Sequence, residues 1–272
     1  MAEASTPPSR AIGVGVRGAG DEFYVGYLPV PARQRRFLWL IVPAILWALL
    51  AAAALIARSQ PDPGNAVWDD ATARTFTGVL IARPYPVVLA EDAGDGAPGA
   101  LLLVELGKFG PGPRAAPFDG QRVRVSGWLL HRDDRRMLEL EPGDGALRAL
   151  NGAEPTSPSA PPVPRWLGRV TLRGEIVDSK CYLGAMKPGH GRTHKECATL
   201  CIRGGIPPML VTRNGRGRVT CYLLMDPSGG ALDAAAWPMI ADPVEVSGDL
   251  EQWGGGGGLY RLRVRAADIR RL

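Results

Sequence analysis

All four cysteines of this 272-residue chain fall between Cys181 and Cys221, and two of its three histidines, His190 and His194, lie among them. Thiols and imidazoles at that density can close disulfides, hold a soft metal ion or exchange disulfides. Spacing narrows the choice. No C-x-x-C pair and no C-x-x-C-H is present, so thioredoxin-like, iron–sulfur and c-type haem chemistry lack their signatures. A Cys₃His set remains, with Cys181, His194, Cys197 and Cys201 as ligands for a Zn or Cu ion and His190 as a spare. The competing chemistry is structural. Four Cys permit three pairings, and bridges from Cys181 and Cys221 to Cys197 and Cys201 suit disulfide geometry better than a Cys197–Cys201 link within one helical turn. No other cofactor is expected.

The element that must position these groups is the segment 179–207. Thr193 followed by Glu196 is a capping-box pattern, and Gly204-Gly205 supplies a stop, which predicts a helix over 194–203. His194, Cys197 and Cys201 would then share a face at i, i+3 and i+7. Around this segment the text is β-rich, with short apolar runs separated by Gly and Pro. Strands are expected near 75–83, 86–90, 100–106, 121–130 and 136–141, and again near 168–178, 208–213, 218–225, 243–249 and 259–266. A small helix is expected near 232–237. The stretch 151–164 holds five Pro and reads as a linker between the two sets.

The two sets echo each other. Thr75-Phe-Thr-Gly-Val-Leu-Ile81 parallels Thr171-Leu-Arg-Gly-Glu-Ile-Val177, and Val123-Arg-Val-Ser-Gly-Trp-Leu129 parallels Val244-Glu-Val-Ser-Gly-Asp-Leu250. The echoes stand 48 residues apart in the first set and 73 in the second, so the second carries the insertion. Five strands with a helix between the third and fourth resemble the OB-fold, and V-x-V-x-G-x-L resembles the fourth strand of exported bacterial OB-like domains. The expected fold is therefore mainly β: one N-terminal transmembrane helix, then two tandem OB-like five-stranded barrels at 58–150 and 165–272. The insertion itself resembles a motif of small exported bacterial proteins of uncharacterised activity, D-x-x-C-Y-L-G … H-x-x-C-A-x-x-C … G-x-P. Asp178, Cys181, Tyr182, Leu183, Gly184, His194, Cys197, Ala198, Cys201, Gly205 and Pro207 match it. Cys221 lies outside it. The resemblance implies export and no particular reaction.

Composition excludes other classes. At 46% apolar and 22% charged residues the chain is globular rather than disordered. Its formal charge of +5 is dispersed: residues 59–272 carry 22 Arg and 4 Lys against 24 acids, so no nucleic-acid footprint is evident. His131-Arg-Asp133 copies a kinase tripeptide without the rest of a kinase and reads as a hairpin turn. Ser126 and Ser247 lack a G-x-S-x-G setting, no carboxylate pair stands out, and Gly13, Gly15 and Gly18 have no βαβ unit around them. An enzyme is not expected.

Residues 37–57, FLWLIVPAILWALLAAAALIA, carry no charge and are long enough to cross a bilayer as a helix. Arg33, Arg35 and Arg36 precede them, so the positive-inside bias puts residues 1–36 in the cytoplasm and the remainder in the periplasm of a bacterial inner membrane. A cleaved signal peptide is the alternative, with Ala52 to Ala54 as an A-x-A match inside the run. Ala44, Ala48 and Ala52 recur every fourth residue and would admit a partner helix. Phe23, Tyr24 and Tyr27 form an aromatic lead-in suited to the lipid bilayer surface or a partner. These features predict a membrane-anchored accessory or assembly subunit. It would dock onto a larger integral membrane protein complex, respiratory or photosynthetic electron transfer being a plausible host. A periplasmic metal-binding or redox protein is the second expectation. OB-folds bind at the first-to-second and fourth-to-fifth strand loops, which places the insertion beside residues 249–258, with Trp253 as a candidate anchor for a partner.

Overall fold

In a computed structural model of the chain, residues 30–60, 64–133, 135–150, 163–253 and 258–272 are described. Phe23, Tyr24 and Tyr27 lie outside them. Two compact units are present, one N-terminal and one starting at residue 62.

The first contains a single helix, Ala32–Ser59, which continues unbroken through Pro43. Its 28 residues give a length of about 42 Å, and its best window has a mean hydropathy of 2.6. That is long and apolar enough to cross a membrane. None of its side chains is buried within the chain, Ala44, Ala48 and Ala52 included.

The second unit holds both barrels. In the first, β1 (Val67–Ile81), β2 (Val87–Ala90), β3 (Gly99–Val104), β4 (Arg122–Arg132) and β5 (Arg135–Leu140) close in the order β1-β2-β3-β5-β4-β1. All neighbours are antiparallel except β3 and β5. A short β6 (Leu147–Ala149) adds to β4. The second barrel repeats the order with β7 (Arg165–Asp178), β8 (Pro208–Arg213), β9 (Val219–Met225), β10 (Pro243–Trp253) and β11 (Leu259–Arg263), and β12 (Ile269–Arg271) adds to β10. This is the OB order, twice. The first strands begin earlier than the sequence implies, at Val67 and Arg165, because their N-terminal halves also pair with β4 and β10. The helix expected near 232–237 is a 3₁₀ turn, Ala234–Met239, capped by the Asp233 carboxylate.

The sequence echoes mark where the barrels close. A Cβ at Gly78 would stand 2.1 Å from the Leu89 carbonyl oxygen, and one at Gly174 would stand 2.2 Å from that of Val211. Gly127 and Gly248 meet the backbones of β5 and β11 in the same way. Each glycine lets one strand press against the next where the sheet curls.

Each barrel has its own apolar interior, one around Leu101, Leu103 and Leu138 and the other around Leu210, Leu224 and Leu262. A third cluster belongs to both. In it Tyr85, Leu102 and Met137 of the first barrel pack with Leu183, Ile206 and Leu223 of the second. The barrels are joined by a core.

Candidate thiol site

The insertion sits on that shared core. Strand β7 ends at Asp178, whose carboxylate is fully buried. Oδ1 accepts from the Cys181 amide at 2.8 Å and starts the wide turn Cys181–Ala185. Oδ2 lies 3.0 Å from His194 Nε2. One carboxylate therefore ties the start of the insertion to its middle. Tyr182 packs beneath the Arg132 guanidinium, 4.1 Å from the ring centre, and Arg132 donates to the Tyr182 and Pro188 carbonyls. His190 faces the Tyr182 ring, and burial depresses its basicity.

The helix forms as Lys195–Arg203 after a 3₁₀ turn, Arg192–His194. The capping box expected from Thr193 and Glu196 does not form; no side chain caps this end. His194, whose ring is held by Asp178, occupies the cap position instead.

Three sulfurs converge, those of Cys181, Cys197 and Cys201, all within 4.8 Å of one another. The expected Cys₃His set is divided. His194 belongs instead to a second group with Asp178 and Cys181, its Nε2 held by the buried carboxylate. The expected disulfides are not formed among Cys181, Cys197, Cys201 and Cys221. Cys221 lies on β9, buried in the shared core, and is outside the sulfur group.

A residue that sequence reasoning missed completes the group. Lys108, in the β3–β4 connection of the first barrel, places Nζ 2.8 Å from Cys197 Sγ and 3.6 Å from Cys201 Sγ. Its approach is built into the backbone. Lys180 Nζ holds the Glu105 and Gly107 carbonyls at 2.8 Å each, and the Gly110 amide donates to the Gly204 carbonyl. At Gly204 a Cβ would fall 1.8 Å from the Lys108 carbonyl oxygen, so the turn read as a helix stop is also a contact surface. Lys180 in turn pairs with Glu139 of β5 at 2.8 Å, both groups buried.

The charges are asymmetric. Hydrogen bonding with Cys201, burial and the Asp178 carboxylate push the Cys181 thiol upward. Cys201 moves the other way, because Cys181 donates to it and the Lys108 ammonium adds a smaller pull. Hydrogen bonding to Cys197, with a smaller contribution from Cys201, raises the basicity of Lys108 in return. Cys201 is buried and Cys197 half-exposed, so the group opens to solvent through Cys197.

Trp253 is not an exposed anchor. It ends β10 at 5% exposure, with the Arg261 guanidinium 4.2 Å above its ring, because the strand runs on to pair with β11. Residues 254–257 of the other expected binding loop lie outside the described residues, and Leu259, which opens β11, packs in the same core as Cys181 and Leu183. The insertion is accordingly a junction between barrels more than a raised surface. Comparison with protein-family models gives no match, and comparison with curated proteins gives none either.

Proposed function

We propose that the protein is a membrane-tethered binding protein whose tandem barrels hold a soft metal ion, copper(I) ahead of zinc, on Cys181, Cys197 and Cys201. The convergence of three sulfurs from two separate stretches of the insertion carries this reading. Thiolates select copper(I) and zinc. Structural zinc sites normally take four protein ligands, and His194, the natural fourth, is engaged by Asp178. Copper(I) is satisfied by three sulfurs. Lys108 offsets part of the negative charge that three thiolates would gather.

The test is copper(I) titration of the full chain in detergent, reduced and anaerobic, against a chromogenic chelator. One ion per chain is expected. Cys201→Ser should weaken binding at least tenfold, whereas Cys221→Ser should leave it unchanged. Stoichiometry unaffected by Cys201→Ser would refute the site.

A second reading adds a partner. The helix Ala32–Ser59 buries nothing within the chain, and its small-residue row at Ala44, Ala48 and Ala52 suits close approach of another helix. That supports an accessory or assembly subunit of a larger membrane complex, such as an electron-transfer complex, with residues 1–36 cytoplasmic and the barrels periplasmic. Replacing the three alanines by Leu should reduce co-purification of the host while insertion persists. Protease outside spheroplasts should reach the barrels and spare the tail.

A further inference from the structure

We infer that Lys108 and Cys197 are the two ends of an oxidisable covalent link, a nitrogen–oxygen–sulfur bridge that joins the two barrels. The juxtaposition is specific. An N–H···O bond measures about 2.7–3.2 Å, and sulfur is the larger atom, so an ordinary N–H···S contact is longer. Lys108 Nζ and Cys197 Sγ are 2.8 Å apart, a separation that one bridging oxygen with a single bond to each would span. Cys201 Sγ, at 3.6 Å from the same nitrogen, is the ordinary neighbour.

The approach does not depend on the flexible lysine stem alone. The carbonyl of Lys108 abuts Gly204, the Gly110 amide bonds the Gly204 carbonyl, and Lys180 grips Glu105 and Gly107 on the other side. These contacts hold the backbone of the lysine loop against the helix that bears Cys197. Cys197 is half-exposed, so dioxygen reaches it, while Cys181 and Cys201 are buried.

The oxidant is dioxygen, and the step balances. The ammonium and thiolate together carry three hydrogens. One stays on nitrogen in the bridge, and two leave in water with the second oxygen atom. Sulfur and nitrogen each give up two electrons, and the two oxygen atoms take the four. Excess dithiol reverses the change, regenerating amine and thiol with release of water. The link needs no metal. It consumes one of the three sulfurs, so the bridged chain loses metal uptake and the reduced chain regains it.

The experiment is peptide mapping of the full chain in detergent, stripped of metal, prepared with and without air and alkylated before digestion. In the aerobic sample the peptides bearing Lys108 and Cys197 should appear joined, heavier than their sum by one oxygen and lighter by two hydrogens. The joined species should vanish after dithiol treatment and in the anaerobic sample. Lys108→Arg, which keeps the charge and removes the amine, should abolish it. Cys197 fully alkylated after air exposure, or recovered in a disulfide with Cys181 or Cys201, would overturn the proposal. Because the joined peptide is sought in metal-free protein, its absence and a failure to bind copper(I) are separate results.

Discussion

The two barrels share a strand order, a parallel β3–β5 or β9–β11 closure and glycines at matching corners, yet only one carries the cysteine insertion. In the first, β1 passes to β2 in five residues; in the second, the equivalent connection runs from Ser179 to Pro207. The difference teaches that the barrel is a scaffold indifferent to its loops. It also shows that the plain barrel is not idle, since its β3–β4 connection supplies Lys108 and its β5 supplies Glu139. Both barrels line the thiol group, although only the second supplies its sulfurs.

The sharpest way to break this division is at Lys180. Lys180→Met would leave the fully buried Glu139 without its cation and release the carbonyls of Glu105 and Gly107. A loss of about 3–5 kcal/mol is expected in urea unfolding of the barrel unit. Adding Glu139→Leu should recover much of it, since an apolar pair in place of a buried ionic one is often tolerated. Failure of the second change to help would show that the carbonyl contacts, not the charge, hold the insertion to the first barrel.

Next in size is Gly204→Ala. Its Cβ collides with Lys108 backbone, so a destabilisation of about 1–3 kcal/mol is expected, with weaker lysine–thiol contact. Gly112→Ala, in the first barrel with open space around it, is the matched control and should be near neutral.

A pH test probes the contact between the second barrel and its insertion helix. Lys195, by hydrogen bond and charge, and Arg271 hold the Asp242 carboxyl below its ordinary value. A depressed folded value means stability that is present above the ordinary carboxylate range and is lost as pH falls through it. Asp242→Asn should therefore destabilise at pH 7 and flatten the acid limb of a urea-midpoint profile. An unchanged acid limb would remove Asp242 from the account.

The smallest effect belongs to the exposed Arg122–Glu91 pair on the first barrel. Glu91→Gln should change stability by less than about 1 kcal/mol, and by less still in high salt.

Much of the fold was legible because barrel closure leaves local marks. The paired T-x-x-G and V-x-V-x-G runs place the glycines where strands must touch, and the Gly/Pro breaks bound most strands to within a few residues. The third, shared cluster was not legible: nothing in the sequence marks Tyr85, Met137 and Leu223 as positions that face the other barrel. The site was half legible. Local density gave Cys181, Cys197 and Cys201, and helical spacing put two of them on one face. Spacing could not show that His194 would turn to Asp178, since that depends on a carboxylate buried at a strand end. Lys108 stands 89 residues from Cys197, with nothing nearby to single it out. Trp253 was misjudged because β10 extends past the point where its apolar alternation fades.

The common cluster between the barrels also bears on how the chain is made. Synthesis runs from the N-terminus, so the first barrel emerges with Tyr85, Leu102 and Met137 facing the interior partner that has not yet been translated. Until Leu183, Ile206 and Leu223 arrive, that face is a sticky surface. A stop placed in the Pro-rich stretch would leave it permanently open, so a halved product should aggregate or recruit a holdase, while the complete barrel unit stays soluble.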